Sequence, residues 1–217
     1  MTEPPPRDAT TEGPTSYTTL RRDVVVEREI SRSRFLTFLS PVPDEPAARE
    51  RIADVRALHP RARHHVTAMI LGPRRDLERS NDDGEPSGTG GAPMLDALRA
   101  AGVSDVVAIV VRYFGGVLLG TGGLARAYRG GVVDALAQAS LRRRTLLRRH
   151  AVRASYAQAA AIEAEARRRG WVLEATYGEE VELLIDADPD RTGEVHRVVE
   201  RASAGAAGVR DVGERWV

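Results

Sequence analysis

The sequence contains neither cysteine nor lysine. Without a thiol, the chain cannot form disulfides, thiolate nucleophiles or cysteine-ligated zinc and iron–sulfur sites. All 32 residues counted as Lys or Arg are arginines, and each can hold a carboxylate or phosphate through two parallel hydrogen bonds. The formal net charge is only +1, so no general field draws the chain to nucleic acid or to an anionic membrane.

Long hydrophobic runs are also missing. No apolar stretch approaches the roughly 20 residues that span a bilayer, so we expect no membrane partner. The first 19 residues have no apolar core and do not resemble a secretory signal, which makes the cytoplasm the expected location. Their Pro- and Thr-rich composition predicts a disordered tail over residues 1–17.

The remaining chain is long enough for two domains, which we place at 18–141 and 142–217. In the first domain, apolar patterns and turn residues predict strands near 20–30 and 34–42, followed by a helix that is capped by Asp44 and closed by Pro60. A strand over 64–72, a polar glycine-rich loop over 73–92 and a helix over 94–101 that is stopped by Gly102 come next. The last two elements are a buried strand over 104–114 and a helix whose apolar stripe is Leu124, Tyr128, Val132 and Leu136.

The second domain follows a segment over 140–150 that has the composition of a link. A strand predicted over 145–156, which overlaps the end of this segment, begins the order β-α-β-β-α-β, with a helix stopped by Gly170 and a hairpin around Gly178. This order is that of a ferredoxin-like split βαβ domain.

The tetrapeptide GTGG occurs twice, at 88–91 and at 120–123, and each copy runs into a predicted helix. A glycine-rich turn that leads into a helix exposes unpaired N–H groups, and the helix dipole adds positive charge there. The alternative is that the glycines only serve turns with positive φ or close packing of helix on sheet. We expect the two copies to form two rims of one groove.

The second copy fits neither of two common nucleotide-binding motifs. The stretch GGVLLGT (115–121) has the glycine spacing of a phosphate-binding P-loop but lacks its lysine. The stretch GTGGLA (120–125) lies several residues beyond its strand, whereas the dinucleotide-binding turn follows its strand directly.

Three acids, Asp82, Asp83 and Glu85, precede the first GTGG copy. They could form a solvated loop that caps a helix, an oxygen-ligand site for Mg²⁺, or a network with Arg112, Arg126 and Arg129. The last two arginines are three residues apart and share one helix flank.

The histidines show no zinc or Ser-His-Asp pattern. His64 and His65 are adjacent on a predicted strand, so they point to opposite faces and cannot hold one metal together. His59, His150 and His196 are isolated and are expected to be structural or on the surface. We therefore expect no metal and no cofactor.

Two long blocks resemble those of a known family. SNDDGEPSGTGGAPML (80–95) and VVAIVVRYFGGVLLGTGGLARAY (106–128) closely resemble the two signature blocks of the IMPACT/YigZ family, and SRSRFL and HPRARHHVTAMILG fit its flanking segments. The matching positions are His64, Asp82, Asp83, Gly84, Glu85, Pro86, Gly88, Gly91, Arg112, Tyr113, Gly115, Gly116, Gly120, Gly122, Gly123, Leu124, Arg126 and Tyr128.

The resemblance implies an α+β fold class. The first domain would share the fold of domain IV of elongation factor G, a ribosomal-protein-like α+β domain, and the second would be ferredoxin-like. Bacterial members look like translation- or ribosome-associated proteins, and the eukaryotic ones regulate translation through an extra N-terminal module that we expect to be absent here. Many relatives have a cysteine soon after the histidine that matches His64, whereas Val66 and Thr67 follow it here, so a thiol mechanism is excluded.

Three roles remain open. We favour a binding protein that contacts the ribosome or RNA, or a small anion such as phosphate. Its binding residues would be Gly88, Gly91, Arg112, Tyr113, Gly115, Gly116, Gly120, Gly122, Gly123, Arg126 and Tyr128. The second role is an enzyme on a small phosphorylated or carboxylated metabolite, with His64, Asp82, Asp83 and Glu85 as catalytic candidates, although no nucleophile–base pair is readable. The third is a purely structural ion network. Nothing in the sequence indicates an oligomeric state.

Overall fold

The computed structural model describes residues 13–217, and the chain divides into two compact units between Arg143 and Arg144. The first unit contains β1 (Ser16–Leu20), β2 (Val24–Ile30), β3 (Ser33–Pro41), α1 (Glu45–Leu58), β4 (His64–Leu71), β5 (Leu77–Asn81), α2 (Gly91–Ala101), β6 (Val106–Tyr113), α3 (Gly120–Gln138) and the beginning of β7 (Leu141–Ala154). The second contains the rest of β7, α4 (Tyr156–Arg168), β8 (Val172–Tyr177), β9 (Val181–Ala187), one 3-10 turn (Pro189–Arg191), α5 (Thr192–Ala202) and β10 (Val209–Trp216).

The first unit is built on an antiparallel sheet in the order β2-β3-β6-β4-β5. Its central strand, β6, is buried from Val106 through Arg112, as its continuous apolar run predicts. Helices α2 and α3 pack on one face of the sheet, and α1 packs on the other. Both faces of this sheet are therefore covered by helices.

Local signals account for the helix ends of this unit. The Asp44 carboxylate accepts a hydrogen bond of 2.8 Å from the N–H of Ala47 and caps α1, and Pro46 lies in its first turn. Gly102 follows α2 in the left-handed conformation, with φ of 70°, which glycine adopts without strain. These ends agree with the sequence prediction.

The second unit has an antiparallel sheet in which the order is β10-β7-β9-β8. Its apolar face packs against α4 and α5. Ser155 and Gln158 cap α4 reciprocally, and Gly170 follows that helix with φ of 69°. The predicted element order β-α-β-β-α-β is confirmed, and the whole molecule is mixed α+β.

The structure differs from the sequence prediction in four places. The loop predicted over 73–92 contains the strand β5. This strand lies at the edge of the sheet and pairs only with β4, and its residues are mostly polar, so the sequence shows no apolar alternation there. Helix α3 starts at Gly120, four residues early, because first-turn N–H groups have no intrahelical partner and glycine is tolerated there. The predicted link over 140–150 lies mostly in β7, which begins at Leu141, four residues before the strand predicted over 145–156.

The fourth difference concerns the N-terminus. Ser16 and Tyr17, the last residues of the predicted disordered tail, already belong to β1, while residues 1–12 lie outside the described residues. Ser104 donates to the Thr18 carbonyl and the Arg21 N–H donates to Ser140, so β1 is fastened within the first unit. Between residues 13 and 217, no helix is long and apolar enough to cross a membrane.

Candidate functional site

A cavity of about 450 Å³ opens in the first unit where β6 ends and α3 begins. Its lining comes from four segments: the residues before and at the start of β4, the loop after β5, the end of β6, and the start of α3. The lining residues are Arg63, His64, Glu85, Pro86, Arg112, Phe114, Leu118, Leu119, Gly120, Thr121 and Leu124. The two sequence blocks singled out above therefore meet at one cavity.

Beneath the cavity, one acid of the first block joins two residues of the second. Glu85 Oε1 accepts hydrogen bonds from Arg112 Nη1 at 2.8 Å and from the Tyr128 hydroxyl at 2.6 Å. The Arg112 and Glu85 side chains are only 7% and 4% exposed. Burial, followed by the hydrogen bond to Glu85, raises the pKa of Tyr128, so the phenol remains a neutral donor.

The Arg112 guanidinium is held in place by aromatic rings as well as by Glu85. Its central carbon lies 5.4 Å from the Phe35 ring centre and 5.5 Å from that of Phe114, within the range of cation–π attraction. Strand register places Arg112 between Phe35 of β3 and His64 of β4. Its Nε–H has no acceptor among the described residues, so one donor of a buried, cavity-lining cation is unused.

Asp82 closes the first GTGG copy. Its Oδ2 accepts from the N–H of Gly88 at 2.8 Å, and its Oδ1 accepts from those of Gly90 at 2.9 Å and Gly91 at 2.8 Å. Burial opposes ionisation of Asp82, but these three N–H donors outweigh it and lower its pKa. The Asp82 carboxylate therefore already occupies the N-terminus of α2. The expectation that both GTGG copies form rims of one groove does not hold for this copy.

Asp83 faces a different set of partners. Its carboxylate accepts from Arg56 Nη2 at 2.6 Å and from the backbone N–H of His65 at 2.7 Å. Desolvation works against the charged form, but the Arg56 guanidinium and the His65 N–H lower the pKa of Asp83. Asp83 thus ties α1 to β4 and is not part of the cavity lining.

The three acids therefore do not converge on a cation. Each binds a different partner, namely backbone N–H groups, Arg56, or Arg112 with Tyr128. Within residues 13–217, no group of three or more His, Asp or Glu side chains could hold a metal ion. The Mg²⁺ site that the sequence left open is not formed.

The adjacent histidines point to opposite faces of the sheet, as their alternation predicts. His64 Nδ1 lies 2.9 Å from the Asp83 carbonyl oxygen, which can only accept, so Nδ1 is the donor in this hydrogen bond, and Nε2 lies 4.0 Å from Glu85 Oε1. His65 lies on the other face, with Nε2 3.2 Å from the His59 carbonyl. Burial lowers the pKa of His65 and keeps its ring neutral.

The second GTGG copy is open to the cavity. Gly120 and Thr121 line it, and among the described residues no side chain caps the N-terminus of α3. Arg63 lines the same cavity and makes no ion pair with a described residue. An uncapped helix start beside an arginine without a counter-charge has the electrostatics of an anion site.

Several predicted binding residues lie elsewhere. Tyr113 packs on the α1 side of the sheet, where its hydroxyl is 3.0 Å from His59 Nδ1. Tyr128 is absent from the lining and is connected to the cavity through its hydrogen bond to Glu85. The remaining predicted residues absent from the lining are Gly88, Gly91, Gly115, Gly116, Gly122, Gly123 and Arg126.

The structure adds lining residues that sequence reasoning missed: Arg63, Phe114, Leu118, Leu119 and Thr121. One signal could have indicated Phe114, since an aromatic residue that ends a buried strand just before two glycines is placed at a sheet edge. Arg63 has no comparable signal, because it is one of many arginines in the chain.

Comparison with known proteins gives a consistent result. Residues 31–136 match the model of the Impact N-terminal domain. The Escherichia coli protein "IMPACT family member YigZ" is 47% identical over 143 residues, which are 65% of this chain and 70% of that protein. The Bacillus subtilis protein "IMPACT family member YvyE" is 35% identical over 197 residues, which are 90% and 91% of the two chains. A solved structure titled "Crystal structure of an hypothetical protein" aligns with a TM-score of 0.66 at 37% identity, covering 90% of this chain and 96% of the other.

Proposed function

The chain belongs to the IMPACT family, and from that premise we propose that it is a translation-associated protein that binds RNA, free or in the ribosome, through this cavity. The observation that carries the proposal is the uncapped N-terminus of α3, which opens beside Arg63 into the cavity. A phosphate there would accept hydrogen bonds from the N–H groups of Gly120 and Thr121 and pair with the Arg63 guanidinium. A cytoplasmic location follows from such a function.

The charge of the chain limits the binding mode. With a net charge of +1, attraction to RNA must come from a local patch and not from the molecule as a whole. We therefore expect few phosphate contacts and a modest salt dependence.

A structural ion network explains only part of the cavity. Glu85, Arg112 and Tyr128 form a buried network that can fix the first unit without any ligand. Arg63 and the start of α3 stand outside that network, so a structural role gives no reason for their position around an open cavity.

The test is RNA and ribosome binding at several salt concentrations, with Arg63→Ala as the variant. We expect the substitution to weaken binding about fivefold to tenfold and to reduce the salt slope by about 1, as loss of one phosphate contact does. Arg61→Ala is the matched control, because this exposed arginine lies two residues away and is not part of the lining. Absence of co-sedimentation at low salt, or equal effects of the two variants, would contradict the proposal.

An enzymatic role is the second candidate, and the position of His64 in the cavity lining favours it. The hydrogen bond from Nδ1 to the Asp83 carbonyl oxygen orients the ring, so Nε2 is the nitrogen that would exchange a proton with a substrate. The substrate would be a small phosphorylated metabolite held at the start of α3. The test is a screen of such compounds with the wild-type chain and with His64→Gln, and turnover that survives the substitution would rule out this role for His64.

The fold names that the family resemblance implies also stand as proposals. The β10-β7-β9-β8 order with two helices on one face supports a ferredoxin-like second unit. For the first unit, likeness to domain IV of elongation factor G rests on the sequence resemblance.

A further inference from the structure

Part of the cavity lining is apolar, which phosphate binding alone does not explain. The apolar lining residues are Phe114, Leu118, Leu119 and Leu124. They contrast with Arg63 and the start of α3, which contribute positive charge to the same cavity. The Phe114 side chain is 47% exposed and Leu118 is 88% exposed. Single exposed apolar residues are common, but contiguous ones in the same concave site mark a ligand surface.

The backbone around Phe114 is fixed on both sides. Tyr113 before it is paired with Arg34 at the end of β6. The Gly115 N–H after it donates to Ser33 Oγ at 3.1 Å, and a Cβ at Gly115 would overlap the Arg32 carbonyl. The ring is therefore held at the cavity by two anchors and by the buried Arg112, so little conformational entropy is lost when a ligand packs against it.

We infer that the cavity receives one unpaired nucleotide, with its base against Phe114 and Leu118 and its phosphate at the start of α3 beside Arg63. This inference rests on the proposed RNA-binding function and deepens it by naming the form of RNA that is selected. A flat base is the part of RNA that packs on an exposed aromatic ring, and a phosphate is the part that suits an uncapped helix start.

The size of the cavity favours a single nucleotide. Its volume of about 450 Å³ lies in the lower half of the range of roughly 300–1,000 Å³ that small-ligand sites occupy. A base within a duplex is stacked and paired, so it could reach Phe114 only after leaving the helix, at a cost of a few kcal/mol. Single strands, loops and strand ends present their bases without that cost.

The test uses fluorescence anisotropy with three labelled probes at one low salt concentration: a single-stranded RNA octamer, the same octamer annealed to its complement, and adenosine monophosphate. We expect the single strand to bind at least tenfold more tightly than the duplex. Phe114→Ala should weaken single-strand binding about tenfold, within the range for loss of one base–aromatic stack, and Phe114→Trp should retain it.

The control is Tyr156→Ala, which removes a comparably exposed ring from the second unit and should leave binding unchanged. Circular dichroism melting of each variant establishes that the chain is folded. If single strand and duplex bind equally and Phe114→Ala changes neither, the inference fails while the proposed function survives. If neither RNA nor adenosine monophosphate binds, both fail. If only adenosine monophosphate binds, the nucleotide pocket stands and RNA as its source is overturned.

Discussion

The same tetrapeptide begins two helices of one unit and has two different fates. At 88–91 the N–H groups are bonded to the Asp82 carboxylate, and the helix start is closed. At 120–123 no side chain from residues 13–217 caps the helix, and its first residues line a cavity. The first copy ends at the first residue of α2, whereas the second copy begins at the first residue of α3. In both places the residues before the tetrapeptide decide whether the positive helix end is occupied by the chain or left for a ligand.

The neighbouring residues differ in a way that the sequence displays. An aspartate stands six residues before Gly88 and can fold back onto the glycine N–H groups. The six residues before Gly120 are FGGVLL, which contain no acid. The apolar segment leaves the second helix start uncapped and supplies Phe114, Leu118 and Leu119 to the cavity lining.

Glu85 joins the loop of the first GTGG copy to Arg112 and Tyr128, which flank the second copy. Removing this connection should have the largest effect on stability. Glu85→Ala leaves the Arg112 guanidinium buried without a counter-charge, and we expect the free energy of unfolding to fall by about 3–5 kcal/mol. Urea denaturation measures it.

Tyr128→Phe is the control for that substitution. It removes one hydrogen bond but keeps the ion pair, so a loss of only about 1 kcal/mol is expected. If Glu85→Ala cost no more than Tyr128→Phe, the two regions would not be held together by this pair.

Removing the cap of the first copy should have the next largest effect. Asp82→Ala leaves three N–H groups without their acceptor, and we expect a loss of about 2 kcal/mol in the free energy of unfolding. The same variant should stabilise on addition of sulfate more than the wild type does, because a second helix start is now open. Asp96→Ala, an exposed acid on α2, should change neither quantity. Identical sulfate responses would show that an open start alone does not attract an anion.

A smaller effect is expected from an added side chain at the second copy. Gly120 has φ of 67°, where any residue with a Cβ is strained, so Gly120→Ala should cost about 1 kcal/mol and weaken RNA binding. Gly122→Ala is its control, because a Cβ there would meet only the flexible Arg126 side chain at 3.4 Å. Thermal unfolding of both variants is the measurement, and equal losses would contradict the assignment of strain to Gly120.

The smallest effect is expected on the free energy of unfolding at acid pH. The folded-state pKa values of Asp82 and Asp83 are lowered, so their stabilisation is complete above the ordinary carboxyl pKa of about 3.9 and is lost as the pH falls through the lowered values. Urea unfolding between pH 7 and pH 3 should show stability falling below about pH 5. Asp82→Asn should reduce that slope, and an unchanged slope would mean that the Asp82 carboxylate does not hold the helix start.

Much of the fold could be predicted because its signals are local. Asp44, Gly102 and Gly170 mark helix ends through their own hydrogen bonds or φ angles, and the apolar run of β6 indicates burial on both faces. The edge strand β5 escaped prediction because its polar residues are paired only by β4.

For the site, the sequence by itself determined which residues carry the chemistry: the glycines, three acids and arginines of two blocks, and the absence of thiols. Only the tertiary structure decided their partners, placing Asp82 on one helix start, Asp83 on Arg56 and Glu85 on Arg112. The physical reason is that charges and N–H groups pair over a few ångströms in space, and residues as far apart as Glu85 and Tyr128 become neighbours only when the sheet and helices have packed.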